Sequence, residues 1–155
     1  MQTITTFLWF DNQAEEAAKF YVSIFKNSRL GGTTRYSDAG PMPKGTVMTV
    51  SFFLDGQEFT ALNGGPLFKF NESVSFVVHC ETQEEVDYYW DKLTAGGTPS
   101  QCGWLKDRFG LSWQVVPKPV LDLITDPAKA KKAMQAVFQM KKIDIRKVKD
   151  AAEKA

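Results

Sequence analysis

The stretch CGWLKDRFGLSWQVVP, Cys102 to Pro117, brings together a thiol, an ammonium, a carboxylate, a guanidinium and two indoles. A thiol becomes a nucleophile when its pKa is lowered, and Lys106 lies close to Cys102 in sequence. Lys106, Asp107 and Arg108 read equally as turn chemistry and solvated charge between two strands. Gln114 stands in the middle of a strand-like run. Alternate residues of a strand face alternate sides, so Ser112, Gln114 and Val116 share one face, and Trp113 and Val115 the other. Gln114 is then either an amide bonded to neighbouring strands or a polar group that meets a ligand. His79, the only histidine, shares a strand face with Ser75 and Val77. It suits a general base near neutral pH, or a strand-end histidine satisfied by solvent. LNGGP, Leu62 to Pro66, reads as a turn, or as glycines that admit a ligand to backbone amides.

The elements that position these residues occur twice. FLWFDNQAEEAAKFYVSI (Phe7–Ile24) lies over FVVHCETQEEVDYYWDKL (Phe76–Leu93) at an offset of 69 without a gap. Each copy reads as a short apolar strand followed by an amphipathic helix. Ala17, Phe20, Tyr21 and Ile24 mark one helix face; Val86, Tyr89, Trp90 and Leu93 mark the other. Asn12 and Thr82 are candidate N-caps, and Ala95–Gly97 ends the second helix. Strands follow each helix, with a hairpin turn at Asp55-Gly56. In the hairpins Phe59 aligns with Trp113 and Thr60 with Gln114. The order is βαβββ twice, an α+β chain with modules at about 1–65 and 72–117. After Pro117 the pattern turns helical through 118–155. Asp126-Pro127 opens one helix, with Ala133, Val137 and Met140 on one side, and a last helix follows Asp144.

Totals exclude several classes. The chain has 155 residues, 43% hydrophobic, with net charge +1, which fits a packed core and a field favouring neither nucleic acid nor acidic ligands. Cys80 and Cys102 have no CxxC spacing, so a zinc knuckle, redox motif or disulfide scaffold is not expected. No signal peptide is visible and no apolar run reaches the roughly 18 residues of a membrane helix. The expected compartment is cytoplasmic. Residues 1–128 hold 10 Lys/Arg and 15 Asp/Glu, and residues 129–155 hold 9 and 3. The basic tail reads as a solvated helical face docked on the acidic body, or as a surface for a partner.

The paired βαβββ order resembles the vicinal oxygen chelate superfamily, which includes glyoxalase I, extradiol dioxygenases and bleomycin- and fosfomycin-resistance proteins. LNGGPLFKFNESVSFVVHCETQEEVDYYW, GWLKDRFGLSWQVVP and MKKIDI resemble its PhnB-like branch, whose members often carry the label 3-demethylubiquinone-9 3-methyltransferase. The resemblance implies that the modules of 1–117 pair into a U-shaped, eight-stranded mixed sheet. Helices lie outside, ligands bind in the cup, and homodimers are usual. It also implies metal ligands on the first and last strand of each module, which fall here on Thr6, Ser75, Thr60 (Phe59 after a register slip) and Gln114. Two hydroxyls and an amide do not satisfy a transition metal, which wants at least three good donors, so no bound metal and no cofactor are expected.

The function expected is binding of a small, partly apolar or aromatic molecule by a homodimer. Leu8, Leu62, Val77 and Val116 would form walls, and Thr6, Thr60, Ser75, His79 and Gln114 would orient polar groups. The alternatives are an enzyme of the same superfamily (glyoxalase- or dioxygenase-like, or the labelled methyltransferase) and an interaction module acting through the basic C-terminal helices. Methyl transfer from S-adenosylmethionine usually uses a glycine-rich turn after the first strand of a doubly wound sheet; here that strand ends FDNQAEE.

Overall fold

The computed structural model describes residues 2–154. The chain divides into two compact units, one up to Phe70 and one from Asn71 onward. The first holds β1 (Thr6–Phe10), α1 (Ala14–Ile24), β2 (Arg29–Arg35), β3 (Val47–Leu54) and β4 (Gln57–Asn63). Its sheet order is β1-β4-β3-β2, with β1 parallel to β4 and the other pairs antiparallel. Asp55 and Gly56 both take positive φ, 49° and 79°, the combination that a two-residue hairpin between right-twisted strands needs. The apolar face of α1, from Ala14 through Ala17, Ala18 and Tyr21 to Ile24, is buried. The Tyr21 ring stacks on Phe52 at 6.0 Å and Phe52 on Phe59 at 5.3 Å.

The start of α1 departs from the sequence expectation. Asn12 is not the cap; the N-cap is Gln13, whose side chain makes no capping bond. Asn63, at the far end of β4, supplies it instead: its Oδ1 accepts the Ala14 N–H at 2.8 Å, and its Nδ2 donates to Val47 O at 3.1 Å. One side chain therefore satisfies an orphan helix donor and ties the helix to two strands.

The second unit holds β5 (Ser75–Cys80), α2 (Gln83–Thr94), β6 (Thr98–Pro99), β7 (Trp104–Lys106) and β8 (Ser112–Pro117), then α3 (Lys118–Thr125), α4 (Ala130–Val137) and α5 (Ile145–Glu153). Its order, β5-β8-β7-β6, repeats that of the first unit, again with one parallel pair. Thr82 does cap α2: its Oγ1 accepts the Glu85 N–H at 3.2 Å, while Glu85 Oε1 reaches back to the Glu81 N–H, close to a capping box. Gly96 follows the helix at φ +77°. The α+β class read from the sequence holds: βαβββ twice, eight strands in mixed order, and helices after Pro117.

Two sequence readings change. Within the stretch read as helical from 118, residues 118–125 form a separate helix whose bounds periodicity did not give; Pro119 sits in its first turn, where no backbone donor is required. Regular helix after Asp126 begins at Ala130 rather than at Pro127, because Asp126 Oδ1 accepts the Ala128 N–H in a turn.

The ungapped offset of 69 is also wrong for the strands. Facing residues on paired strands share a side, and Phe59 faces Thr6 whereas Trp113 faces Phe76. The first strands therefore correspond at an offset of 70, while the buried helix positions Ala17, Tyr21 and Ile24 still match Val86, Trp90 and Leu93 at 69. The extra residue lies in the link: three residues join β1 to α1, and two join β5 to α2.

Candidate functional site

In each sheet one face packs on the module's helix and the other points away from it. In the second unit the helix side carries Phe76, Val78, Cys80, Trp113 and Val115. The far side carries Ser75, Val77, His79, Ser112, Gln114 and Val116, with Trp104 and Lys106 alongside on β7. This matches the sequence assignment of Ser75, Val77, His79 and Gln114 to one face. The Gln114 Nε2 donates to Ser75 Oγ at 2.9 Å. His79 and Val77 are exposed, and Gln114 and Val116 half-buried. Sequence reasoning gave no role to Ser112, yet it is fully buried on this side, and its Oγ has no hydrogen-bond partner among the described residues. The residue that faces it on β7, Lys106, pairs with Glu72 Oε1 at 2.7 Å. That ammonium, by hydrogen bond and by charge, holds the Glu72 carboxyl below its ordinary value.

The neighbouring polar residues serve the fold. Asp107 is buried: its Oδ1 accepts the N–H groups of Phe109 and Leu111, and its Oδ2 accepts Trp113 Nε1–H at 2.9 Å. The turn reading holds for it, with the added task of anchoring the indole. Cys102 takes φ +59° and donates its backbone N–H to Met140 O at 2.8 Å. Lys106, the nearest cation in sequence, is engaged by Glu72. Cys80 is buried, and burial, with a smaller push from the Glu85 carboxylate, raises its thiol to about 12. A thiol so placed behaves as a small hydrophobe.

In the first unit the register corrects two expected site residues. Thr6 and Leu8 face Phe59 and Ala61, so they belong to the helix side, and Leu8 is buried there. The one-residue difference between the links flips the strand face. The far side instead presents Phe7 and Trp9 on β1, Thr60 and Leu62 on β4, and Thr49, Ser51 and Phe53 on β3. Thr60 and Leu62, also expected at the site, lie on this far side; Thr60 is buried and Leu62 half-buried. Phe7 and Trp9 were missed, although the unequal links are visible in the sequence once the helix starts are known. Asn63 and Gly64 of the LNGGP run are structural, since Asn63 caps α1 and the Gly64 N–H donates to Phe10 O at 2.9 Å.

The positions that the resemblance offers a metal are thus a phenyl ring and a hydroxyl in the first unit, Phe7 and Thr60, and a hydroxyl and an amide in the second, Ser75 and Gln114. This set fits a divalent transition metal less well than the set read with Thr6, since such sites use imidazole, carboxylate or thiolate. Among the described residues no three His, Cys, Asp or Glu side chains cluster as ligands. Clefts of about 550, 490 and 270 Å³ lie elsewhere: at the starts of α2 and α5, beside the Asp55-Gly56 turn near Thr6, and beside Asn27–Arg29. Among the described residues no helix is long and apolar enough to cross a membrane.

Comparison with known proteins places this architecture. The family model described as 3-demethylubiquinone-9 3-methyltransferase matches residues 2–116. A PhnB protein from Bacillus cereus, whose description carries the same methyltransferase name, is 39% identical over 75% of this chain and 99% of its own, with a TM-score of 0.68. Protein PA1353 from Pseudomonas aeruginosa, 19% identical over 76% of this chain and 98% of its own, has a TM-score of 0.61. The fosfomycin resistance protein FosX from Listeria monocytogenes, 14% identical over 75% of this chain and 90% of its own, has a TM-score of 0.54. These last two speak to the fold alone. No curated protein matches the chain. With the family model spanning both βαβββ modules, the chain belongs to the 3-demethylubiquinone-9 3-methyltransferase family, whose name the PhnB protein from Bacillus cereus also carries.

Proposed function

We propose that this protein binds a small, partly apolar molecule on the far faces of its sheets and does so without a metal. The observation that carries the reading is the far face of the second unit. There the Gln114–Ser75 pair and the exposed His79 stand among Val77 and Val116. A few convergent polar groups in an apolar surround are what a small-molecule site needs.

Methyl transfer, the activity in the family description, finds little support in these residues. Each sheet holds one parallel strand pair, and the link after β1 is Asp11-Asn12-Gln13, without the glycine-rich turn that cradles a nucleotide-like cofactor. A second reading, catalysis without a metal on the same face, rests on His79 as a solvent-accessible imidazole near Gln114. The assembly that goes with the leading reading is a homodimer, which light scattering tests.

The test of function is a thermal-shift screen of the full chain with aromatic metabolites, antibiotics and divalent metals, because a ligand selective for the native state raises apparent stability. A hit should bind without added metal and lose about one hydrogen bond's worth of affinity, roughly 0.5–1.5 kcal/mol, on Gln114→Ala. Hits that require one metal per chain and ignore Gln114→Ala would overturn the reading.

A further inference from the structure

The far face of the first unit has a chemistry of its own. Phe7 and Trp9 stand two residues apart on β1, on the same side. Phe7 is 60% exposed. Trp9 is held firmly. Its Nε1–H donates to Gly65 O at 2.9 Å, and its ring meets Phe68 edge-on at 5.0 Å. Its six-membered ring lies against Gly64, where a Cβ would stand 2.4 Å from Cε2. Glycine at 64 is therefore what lets the indole lie down on the chain. Residues i and i+2 of a strand are about 6.6 Å apart, so a flat ring lying across the exposed edges of Phe7 and Trp9, rather than wedged between them, can keep both within the centroid range of roughly 4.5–7 Å that aromatic pairs favour. Beside Phe7 on β4 is Thr60, and beside Thr60 on β3 is Ser51. Both carry hydroxyls: Thr60 is 8% exposed, and the Ser51 hydroxyl donates to Gly32 O at 3.3 Å, which leaves its oxygen free to accept. Of the charged side chains on this face, Glu58 and Arg29 belong to the Phe53 end, where Arg29 sits over the Phe53 ring at 3.9 Å, and Arg35, facing Val47 at the other end, donates to Gly45 O at 3.0 Å.

From this arrangement we infer that the far face of the first unit is a stacking subsite for a flat, uncharged aromatic ring bearing a hydroxyl or carbonyl group. Phe7 and Trp9 supply the ring contacts, and Thr60 and Ser51 meet the polar substituent. The inference rests on the reading that the far faces bind small molecules, and it adds the ligand class and the residues that select it. A rigid indole whose orientation is set by Gly64 and Gly65 needs little ordering when a ligand arrives, which favours affinity.

The experiment uses the full chain and two alcohols of similar size, 2-naphthol and decahydro-2-naphthol. Binding is followed by NMR at the Trp9 indole N–H, assigned with Trp9→Phe. The flat alcohol should bind several-fold tighter than the saturated one and shift the Trp9 indole resonance. Phe7→Leu, which keeps an apolar side chain at an exposed position, should weaken 2-naphthol by roughly two- to twelvefold, the equivalent of one aromatic contact. It should leave the saturated alcohol unchanged, and Phe7→Tyr should restore binding. Equal affinities for the two alcohols, indifferent to Phe7→Leu, overturn the subsite; if Gln114→Ala still weakens 2-naphthol, the broader binding reading survives. If neither alcohol moves any far-face resonance in either unit, both fall. A change in particle mass on Phe7→Leu with unaltered naphthol affinity also overturns the subsite and makes Phe7 a contact between copies.

Discussion

Trp113 and Gln114 are neighbours in the chain with opposite fates. Trp113 is 3% exposed on the helix side and donates its indole N–H to the buried Asp107 carboxylate. Truncation to alanine removes a large buried ring, which typically costs about 3–5 kcal/mol, and takes one donor from a buried anion. Gln114 is half-buried on the other side with one side-chain bond, to Ser75. Gln114→Ala should cost no more than about 1 kcal/mol. Urea denaturation of both variants checks the pair, and a larger loss for Gln114→Ala would contradict the register of β8. Cys80 supplies a pH signature. Its thiol is raised from the ordinary 9.0 to about 12, chiefly by burial. Below about pH 9 both states keep the proton. Between about 9 and 12 the unfolded chain loses it while the folded chain retains it, so stability falls with rising pH at up to about 1.4 kcal/mol per unit. Cys80→Ala should therefore show a shallower decline between pH 8 and 10.5 than the parent. Equal slopes would mean that Cys80 is not held neutral by the fold.

The elements show where sequence reading succeeds and where physics hides from it. The period of two in β8 placed Gln114 and Trp113 on opposite faces, and the structure agrees. The period of 3.6 in α1 and α2 placed Tyr21 and Trp90 in the core, and both are buried. What failed was the phase between a strand and its helix. An apolar run such as FLWF has no polar alternation to mark its faces, so Thr6 and Leu8 were assigned to the wrong side when the repeats were aligned without a gap. The cap of α1 was illegible for another reason: Asn63 is 49 residues from Ala14 in sequence, and local rules look only at neighbours. That bond gives a prediction. Asn63→Ala should destabilise by about 0.5–2 kcal/mol through the lost cap, with a further loss from the unpaired Val47 carbonyl. Asn63→Asp keeps the acceptor and should recover part of it. Thermal unfolding of the two variants decides; equal losses would assign the effect to the Val47 contact rather than the cap. The bounds of α3 within the helical stretch read for 118–155 were not legible, because eight residues with a proline in the first turn offer barely two periods to count.

At the scale of the second unit as a whole, charge suggested that the tail docks by attraction, since residues 129–155 are basic and the rest acidic. The packing gives a different emphasis. Ile143, Ile145, Val148 and Ala152 are buried, as are Val120 of α3 and Ala133 of α4. Gln83, at the start of α2, holds the approach to α5: its Nε2 donates to Ile143 O at 3.1 Å and its Oε1 accepts the Ile145 N–H at 2.8 Å. The Cys102 and Gly103 N–H groups donate to Met140 O and Lys141 O, and a Cβ at Gly103 would stand 3.0 Å from Ile143 Cδ1. The ion pair in this region, Lys142 with Asp87 at 2.9 Å, is exposed on both sides, and such pairs contribute little and fade with salt. The extension is therefore held by burial and by a backbone clamp. Ile143→Ala should cost about 2–5 kcal/mol and raise hydrogen exchange at the Cys102 and Gly103 amides. Lys142→Ala should leave both nearly unchanged, and so should raising the salt from 0.1 to 1 M. If high salt or Lys142→Ala frees those amides while Ile143→Ala does not, the tail is held by charge after all, and its basic surface is committed to the acidic body rather than free for a partner.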